Sequence, residues 1–132
     1  MNMKSKILWG AAALLGFALL SQQLSAVQGV DVKQAQSMVS SQGALLLDVR
    51  EPAEYAAIHA PNAKLIPLGE VGLRLKEIET YKDKPVAVIC RSGRRSAKAV
   101  ALLQEAGFTQ ASNVQGGIQA WEQAGLEVIK QQ

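Results

Sequence analysis

Cys90 is the only cysteine in this 132-residue chain, and it lies in the most basic short stretch of the sequence. Residues 88–100 read VICRSGRRSAKAV, so that Arg91, Arg94 and Arg95 follow the cysteine within five positions. The thiolate is the nucleophilic form of cysteine, and nearby cations favour it over the thiol. These residue types at this spacing predict a reactive cysteine whose pKa is lowered.

The elements around Cys90 support this interpretation. The apolar run PVAVIC, residues 85–90, is typical of a strand buried on both faces. Gly93 allows a tight loop, and a helix is predicted from Ser96 to Ala106. Ligand sites in parallel sheets lie beyond the carboxyl ends of strands, and helix N-termini attract anions. The alternative interpretation is a buried structural thiol followed by solvated arginines.

The rest of the chain alternates between helical and strand patterns. Helices are predicted at residues 32–41, 52–57, 71–79 and 96–106 and around Ile118 and Trp121. Strands are predicted at residues 44–49, 62–66, 85–90 and 112–114, with a last edge strand at 126–129. This order predicts an α/β domain of three layers, in which helices flank a mostly parallel sheet of about five strands.

The N-terminus has the pattern of a secretory signal peptide. Lys4 and Lys6 precede the apolar residues 7–20, and residues 21–26 are mostly polar and end in Ala26. The apolar run is shorter than the roughly 20 residues that a membrane span needs. We therefore expect residues 1–26 to be a signal peptide and 27–132 the domain, exported to the periplasm. The alternative is an uncleaved anchor that leaves the domain facing the periplasm, and only then is a membrane contact expected.

Charge and composition exclude several classes of partner. Lys4 and Lys6 account for two of the 14 Lys and Arg residues, so cleavage leaves 12 against 11 Asp and Glu. Such a balance does not indicate a nucleic-acid binder. One cysteine and one histidine give no metal-ligand cluster, and no second thiol is present for thioredoxin-type exchange. Neither a metal nor a cofactor is expected.

A cysteine phosphatase or arsenate reductase is the rival enzyme class. Cysteine phosphatases place an arginine after five residues that follow the cysteine. Counted from Cys90, that position holds Ser96, and Arg95 comes one place early. The shorter loop suits a smaller reacting atom than a tetrahedral phosphorus, which disfavours this class.

Three ordered motifs resemble those of the single-domain rhodaneses, thiosulfate sulfurtransferases of the small exported kind. They are LLLDVREPAEYAAIHAPNAKLIPL at 45–68, CRSGRRS at 90–96 and NVQGGIQAW at 113–121. The resemblance spans about residues 30–130. The sequence departs from the family pattern around His59, where Ile58, Ala60 and Asn62 replace the usual glycine, isoleucine and glycine.

The resemblance implies a mechanism. Cys90 would attack the sulfane sulfur of thiosulfate or a similar small anionic donor, release sulfite and hold a persulfide. A thiophilic acceptor, cyanide or a thiol, would then take the sulfur. Substrate binding would fall to the loop that follows, Arg91, Ser92, Gly93, Arg94 and Arg95, and structural support to Asp48, Arg50 and Ser96. A persulfide carrier or binding module that does not turn over thiosulfate is the alternative that the sequence leaves open.

Overall fold

The structure is a computed structural model that describes residues 27–131. Five parallel strands form the main sheet: β1 (Gly29–Val30), β2 (Leu45–Asp48), β4 (Lys64–Leu65), β5 (Val86–Ile89) and β6 (Ala111–Val114). Their order in the sheet is β1-β6-β5-β2-β4. Strands β3 (Ile58–His59) and β7 (Ile129–Lys130) pair antiparallel in a separate ribbon. The predicted mostly parallel sheet of about five strands is confirmed.

Helices cover both faces of the sheet. They are α1 (Val32–Ser41), α2 (Pro52–Ala57), α3 (Arg94–Glu105) and α4 (Gly117–Gln123), with two 3-10 helices at Leu68–Leu73 and Leu75–Tyr81. Successive side chains of a strand point to opposite faces. Val86 and Val88 accordingly pack in one core cluster with residues of α3 and the 3-10 helices, and Ala87 packs in a second with residues of α1 and α4. The three-layer arrangement is therefore the one predicted.

Local signals explain the helix starts. Asp31 caps α1 in a reciprocal pair: its Oδ1 accepts from the backbone N–H of Gln34 at 2.8 Å, and Gln34 Oε1 accepts from the N–H of Asp31 at 3.1 Å. Pro52 occupies the first turn of α2, where a missing N–H costs nothing. Both helices have the bounds expected from the sequence.

Three sequence expectations need correction. Residues 71–79 were expected to form one helix, but the chain forms two short 3-10 helices there, separated at Arg74. The last strand does not extend an edge of the main sheet; it is β7, which pairs with β3. Helix α3 begins at Arg94 instead of Ser96. The loop after Cys90 is therefore shorter than expected, and Arg94 and Arg95 belong to the first helical turn.

The predicted signal peptide, residues 1–26, lies outside the described residues. Within residues 27–131, none of the helices combines the length and the apolar character that crossing a membrane requires.

Candidate active site

Cys90 directly follows β5, at the carboxyl end of a central strand. Its neighbour in the chain, Ile89, pairs with Asp48 of the adjacent strand β2. The residue is only 1% exposed. Its Sγ accepts hydrogen bonds from the backbone N–H of Gly93 at 3.1 Å and from the Ser96 hydroxyl at 3.2 Å. The sulfur thus lies at the floor of a loop whose donors turn inward toward it.

Hydrogen bonding determines the protonation of Cys90. Burial, the largest single influence, raises the pKa of the thiol. Hydrogen bonds from the Ser96 hydroxyl and from the backbone N–H groups of Ser96, Gly93 and Ser92 more than offset burial, so the pKa lies below its ordinary value of 9.0. The direction is the one that the sequence suggested. The inward donors lower the pKa most, and the charge of Arg95 also interacts with Cys90.

The loop takes its shape from a glycine. Gly93 has a φ of 108°, in the left-handed region, and is the N-cap of α3. Arg94 and Arg95 then fill the first turn of α3, where cations oppose the helix dipole. Helix stability does not favour arginine at these two positions, which points to a role in the site.

A second backbone segment braces the loop from outside. The N–H of Ile118 donates to the carbonyl of Cys90 at 2.9 Å, and the N–H of Gln119 donates to that of Arg91 at 3.2 Å. Gly117 permits this approach, because a Cβ there would lie 2.5 Å from the carbonyl carbon and oxygen of Arg91. The start of α4 therefore holds the backbone of the Cys90 loop in place.

The three arginines have different environments. Arg95 donates two hydrogen bonds to the carboxylate of Glu54 on α2, at 2.7 and 2.8 Å. That pairing is the largest influence on Glu54 and lowers the pKa of its carboxyl to about 2. Arg91 and Arg94 are exposed, and within residues 27–131 their side chains form no ion pair or hydrogen bond. Two cations therefore remain available at the rim of the site.

Comparison with known proteins identifies the family. Residues 31–124 match the rhodanese-like domain. The chain belongs to the rhodanese family. A sulfurtransferase of Allochromatium vinosum is 38% identical over 72% of this chain and 87% of its own length, and the thiosulfate sulfurtransferase GlpE of Vibrio cholerae is 33% identical over 75% and 92%. Two other curated relatives are longer: the chain aligns to 19% of the probable adenylyltransferase/sulfurtransferase MoeZ of Mycobacterium tuberculosis and to 54% of the putative sulfur carrier protein YrkF of Bacillus subtilis.

A solved structure gives the same result. The rhodanese-related protein of Thermoplasma volcanium superposes with a TM-score of 0.69 at 34% identity, over 77% of this chain and 97% of that one. The parallel sheet and its flanking helices are therefore those of a rhodanese.

Asp48 and Arg50 form a buried ion pair in this rhodanese domain. Arg50 Nη2 lies 2.8 Å from Asp48 Oδ2, and the two side chains are 2% and 0% exposed. Arg50 also donates to the carbonyls of Ile58 at 2.7 Å and Glu54 at 3.4 Å. The pair thus ties the end of β2 to helix α2 and to β3, beside the Cys90 loop but not in it.

His59 lies in β3 and interacts with α2. Its ring stacks on that of Tyr55 with centroids 3.9 Å apart, and its Nδ1 is 2.7 Å from the Tyr55 carbonyl oxygen. Within residues 27–131, no group of three or more His, Cys, Asp or Glu side chains is arranged to hold a metal. The contacts of His59 are those of a side chain that positions a turn.

Sequence reasoning missed three residues of the rhodanese site. Asn113 donates from Nδ2 to the Gly93 carbonyl at 3.1 Å and accepts from the Ser96 hydroxyl at 2.5 Å. The other two are Glu54, which pairs with Arg95, and Gly117, which lets α4 approach the Cys90 loop. Asn113 could have been found from the pairing of β6 with β5, because the parallel register places it beside Val88, two residues before Cys90.

Proposed function

We propose that this rhodanese is a thiosulfate sulfurtransferase with Cys90 as the sulfur-carrying residue. The relatives support sulfur transfer in general, and thiosulfate as donor is our proposal. The observation that carries it is the hydrogen bonding of Cys90 Sγ by Gly93 and Ser96, because these donors favour a thiolate before any substrate arrives.

The first step transfers one sulfur atom to the enzyme. The Cys90 thiolate attacks the outer sulfur of thiosulfate and forms a new S–S bond. The S–S bond of thiosulfate breaks, and sulfite leaves with the electron pair. The terminal sulfur of the Cys90 persulfide retains the negative charge, so the step balances without an oxidant, a reductant or a proton.

Backbone donors suit the charge that this step creates. The negative charge moves from Cys90 Sγ to the sulfur bonded to it, and we expect the backbone N–H groups of residues 91–95 to surround that sulfur. Fixed backbone dipoles stabilise such a charge at no reorganisation cost, as they do an oxyanion. Exposed Arg91 and Arg94 attract the dianionic donor to this loop, while Glu54 holds Arg95.

The second step regenerates the thiolate. Cyanide attacks the terminal sulfur of the persulfide and leaves as thiocyanate, and the electron pair of the broken S–S bond returns to Cys90 Sγ. A thiol acceptor reacts by the same attack and leaves as a persulfide. Because Cys90 is 1% exposed, we expect slim acceptors such as cyanide to react fastest.

Intact mass after incubation with thiosulfate tests the first step. The wild type should gain the mass of one sulfur atom, and Cys90→Ser should gain nothing. Ser112→Ala, a change on β6 that keeps Cys90, serves as the control and should gain sulfur like the wild type. An unchanged mass in the wild type together with hydrolysis of an aryl phosphate would overturn the proposal in favour of a phosphatase.

Release of thiocyanate separates an enzyme from a carrier. On addition of cyanide, thiocyanate should form in amounts many times that of the protein as long as thiosulfate remains. Persulfide formation without repeated thiocyanate release would indicate a carrier that serves a partner instead.

We also propose that residues 1–26 export the domain to the periplasm. The support is the order of basic, apolar and polar segments in the sequence. Sequencing the N-terminus of the protein recovered from the periplasmic fraction should give Val27 as the first residue. Recovery of an intact Met1 in the membrane fraction would show an anchor.

A further inference from the structure

Four contacts at hydrogen-bond distance join Cys90 to Asn113 in a closed ring. Cys90 Sγ accepts from the Gly93 N–H at 3.1 Å, and the Gly93 carbonyl accepts from Asn113 Nδ2 at 3.1 Å. On the other side, Ser96 Oγ lies 2.5 Å from Asn113 Oδ1 and 3.2 Å from Cys90 Sγ. One amide side chain therefore contacts both groups that donate to the thiol.

The orientation of this amide is fixed by the ring. An amide oxygen only accepts hydrogen bonds and an amide nitrogen only donates them. Rotating the Asn113 amide by half a turn would set its oxygen against the Gly93 carbonyl oxygen and leave both without a donor. Asn113 Oδ1 must therefore face Ser96.

Ser96 lies between two acceptors but has one hydrogen to donate. A hydroxyl carries a single O–H donor and two lone pairs. When Cys90 is a thiol, Ser96 donates to Asn113 and accepts from the S–H group. When Cys90 is a thiolate, Ser96 donates to Sγ and leaves Asn113 Oδ1 with no hydrogen in that short contact.

We propose that Asn113 is a positioning residue that competes with Cys90 for the single hydroxyl hydrogen of Ser96. Its carbonyl oxygen draws that hydrogen away from the sulfur and limits how strongly Ser96 stabilises the thiolate. Its amide nitrogen meanwhile holds Gly93, which donates to the sulfur from the other side. Asn113 acts on Cys90 only through these two neighbours.

If Cys90 carries sulfur as proposed above, the competition between Asn113 and Cys90 for the Ser96 hydrogen favours sulfur transfer. After the first step Cys90 Sγ is bonded to a second sulfur and carries no charge, so it is a weak acceptor. Ser96 is then free to return its hydrogen to Asn113. Asn113 thereby stabilises the persulfide relative to the free thiolate and keeps the thiolate a stronger nucleophile than full hydrogen bonding would allow.

Charges around Cys90 stay the same when Asn113 or Ser96 is replaced. Charged groups on the elements beside the sulfur include the exposed Arg91 and Arg94, the paired Arg95 and Glu54, and the buried Asp48 and Arg50. Glu51, Lys98, Glu105 and Glu122 lie further along the same elements. A shift in the titration of the thiol between variants of neutral residues therefore reports hydrogen bonding.

A double-mutant cycle on the thiol titration tests the proposal. The thiolate absorbs in the ultraviolet, and Cys90 is the only thiol, so its titration can be followed directly in the wild type, Asn113→Ala, Ser96→Ala and the double variant. Ser96→Ala should raise the pKa. Asn113→Ala should raise the ratio of thiolate to thiol more when Ser96 is present than when it is replaced by alanine. The two effects should differ by about 2- to 10-fold, the range expected for one hydrogen bond.

Comparing Asn113→Ala with and without Ser96 separates its effect on Ser96 from its effect on the Cys90 loop. Asn113→Ala also frees the Gly93 carbonyl, and that change is present whether or not Ser96 is there. Equal effects in the two backgrounds, or an effect of opposite sign when Ser96 is present, would overturn the proposal. Ser112→Ala, on the same strand, should leave the titration unchanged, and Asn113→Ser provides a second variant if Asn113→Ala does not fold.

The titration uses no sulfur donor, so it is independent of the proposed activity. If the cycle gives the expected coupling but thiosulfate leaves no sulfur on Cys90, the Ser96 competition stands and the proposed donor is wrong. If sulfur is transferred but the coupling is absent, the function stands and Asn113 has no part in it.

Discussion

Two neighbouring connections between a strand and a helix have the same geometry but differ in the side chains that they carry. Strands β2 and β5 lie side by side in parallel, with Asp48 opposite Ile89. Each strand ends at the same edge of the sheet and leads within a few residues into a helix, α2 or α3. With the first helical turn included, the connection after β2 holds the Asp48–Arg50 pair and the carboxylates of Glu51 and Glu54. The one after β5 holds the Cys90 thiol and three arginines.

The difference lies in where the polar groups are satisfied. After β2, Asp48 accepts from the Arg50 side chain at 2.8 to 3.2 Å and from the Arg50 backbone N–H at 3.0 Å. After β5, donors converge on a single sulfur, and two arginines extend into solvent. Asp48 and Arg50 neutralise each other, whereas the exposed Arg91 and Arg94 leave positive charge beside Cys90. The same strand-to-helix geometry thus serves as a structural support after β2 and as a reactive loop after β5.

One ion pair joins the two connections. Glu54 of α2 binds Arg95 of α3 through both carboxylate oxygens, so an acid that follows β2 pairs with one of the three arginines that follow β5. Replacements in each connection and in the link between them should therefore have effects of different size and kind.

Arg50→Met should have the largest effect on stability. It leaves the 0% exposed Asp48 carboxylate without its guanidinium, and breaking a buried pair costs about 3–5 kcal/mol. Urea denaturation followed by tryptophan fluorescence measures this loss. The folded fraction should still take up sulfur from thiosulfate at nearly the wild-type rate, because Arg50 does not contact the Cys90 loop donors.

A matched double variant shows whether the loss comes from the stranded charge. Asp48→Leu combined with Arg50→Met removes both charges, and apolar replacement of a whole buried pair is often nearly neutral. It should be more stable than Arg50→Met alone. Equal or lower stability of the double variant would mean that Arg50 stabilises the fold mainly through the carbonyls of Ile58 and Glu54.

The scaffold was more predictable from sequence than the site, because its signals are local. An apolar run that ends in a charge predicts β2, and Pro52 after Glu51 predicts the start of α2. The 3-10 helices were not predictable in this way, since Leu75 and Ile78 at helical spacing fit either form of helix. The pairing of β7 with β3 was also not predicted, because the sequence around Ile58–His59 is typical of a turn.

Gly117→Ala should displace the Cys90 loop and should lower stability less than Arg50→Met does. The new Cβ would meet the backbone of Cys90 and Arg91, and overpacking of this kind costs about 1–3 kcal/mol. The loop must move to make room, so the hydrogen bonds to Cys90 Sγ should weaken and its pKa should rise. Urea denaturation and the rate of Cys90 alkylation against pH measure the two effects.

A glycine without such contacts provides the control for Gly117→Ala. A Cβ on Gly125 would meet nothing within 4 Å, yet its φ of 74° is also in the left-handed region. Gly125→Ala should therefore cost the backbone strain alone and leave the alkylation profile of Cys90 unchanged. A similar shift of that profile in both variants would contradict the bracing role of Gly117.

The parts of the site that sequence reasoning missed depend on long-range contacts. Glu54 and Arg95 are 41 residues apart, and Ser96 and Asn113 are 17 apart. Nothing near Glu54 in the chain distinguishes it from any first-turn acid, and Asn113 reads as a polar residue in a short strand. Only the parallel pairing of β2, β5 and β6 brings the two members of each pair together beside the Cys90 loop.

Glu54→Gln should have the smallest effect on stability and a characteristic pH dependence. The glutamine keeps the contact to the Glu51 N–H but loses the charge that pairs with Arg95. The pair is about one-third exposed, so the loss at neutral pH should be at most about 1 kcal/mol. The folded-state pKa of Glu54 lies at about 2, below its ordinary value of 4.5. The stabilisation is therefore complete above pH 4.5 and is lost as the pH falls toward 2.

Denaturation curves of the two proteins should accordingly converge on acidification. The difference in unfolding free energy between wild type and Glu54→Gln should be constant at neutral pH and approach zero as the pH falls from 4.5 to 2. Glu122→Gln, an exposed change on α4, should show no such convergence. A difference that persists at pH 2 would mean that the carboxylate charge of Glu54 contributes nothing, and that the two connections are held together by packing alone.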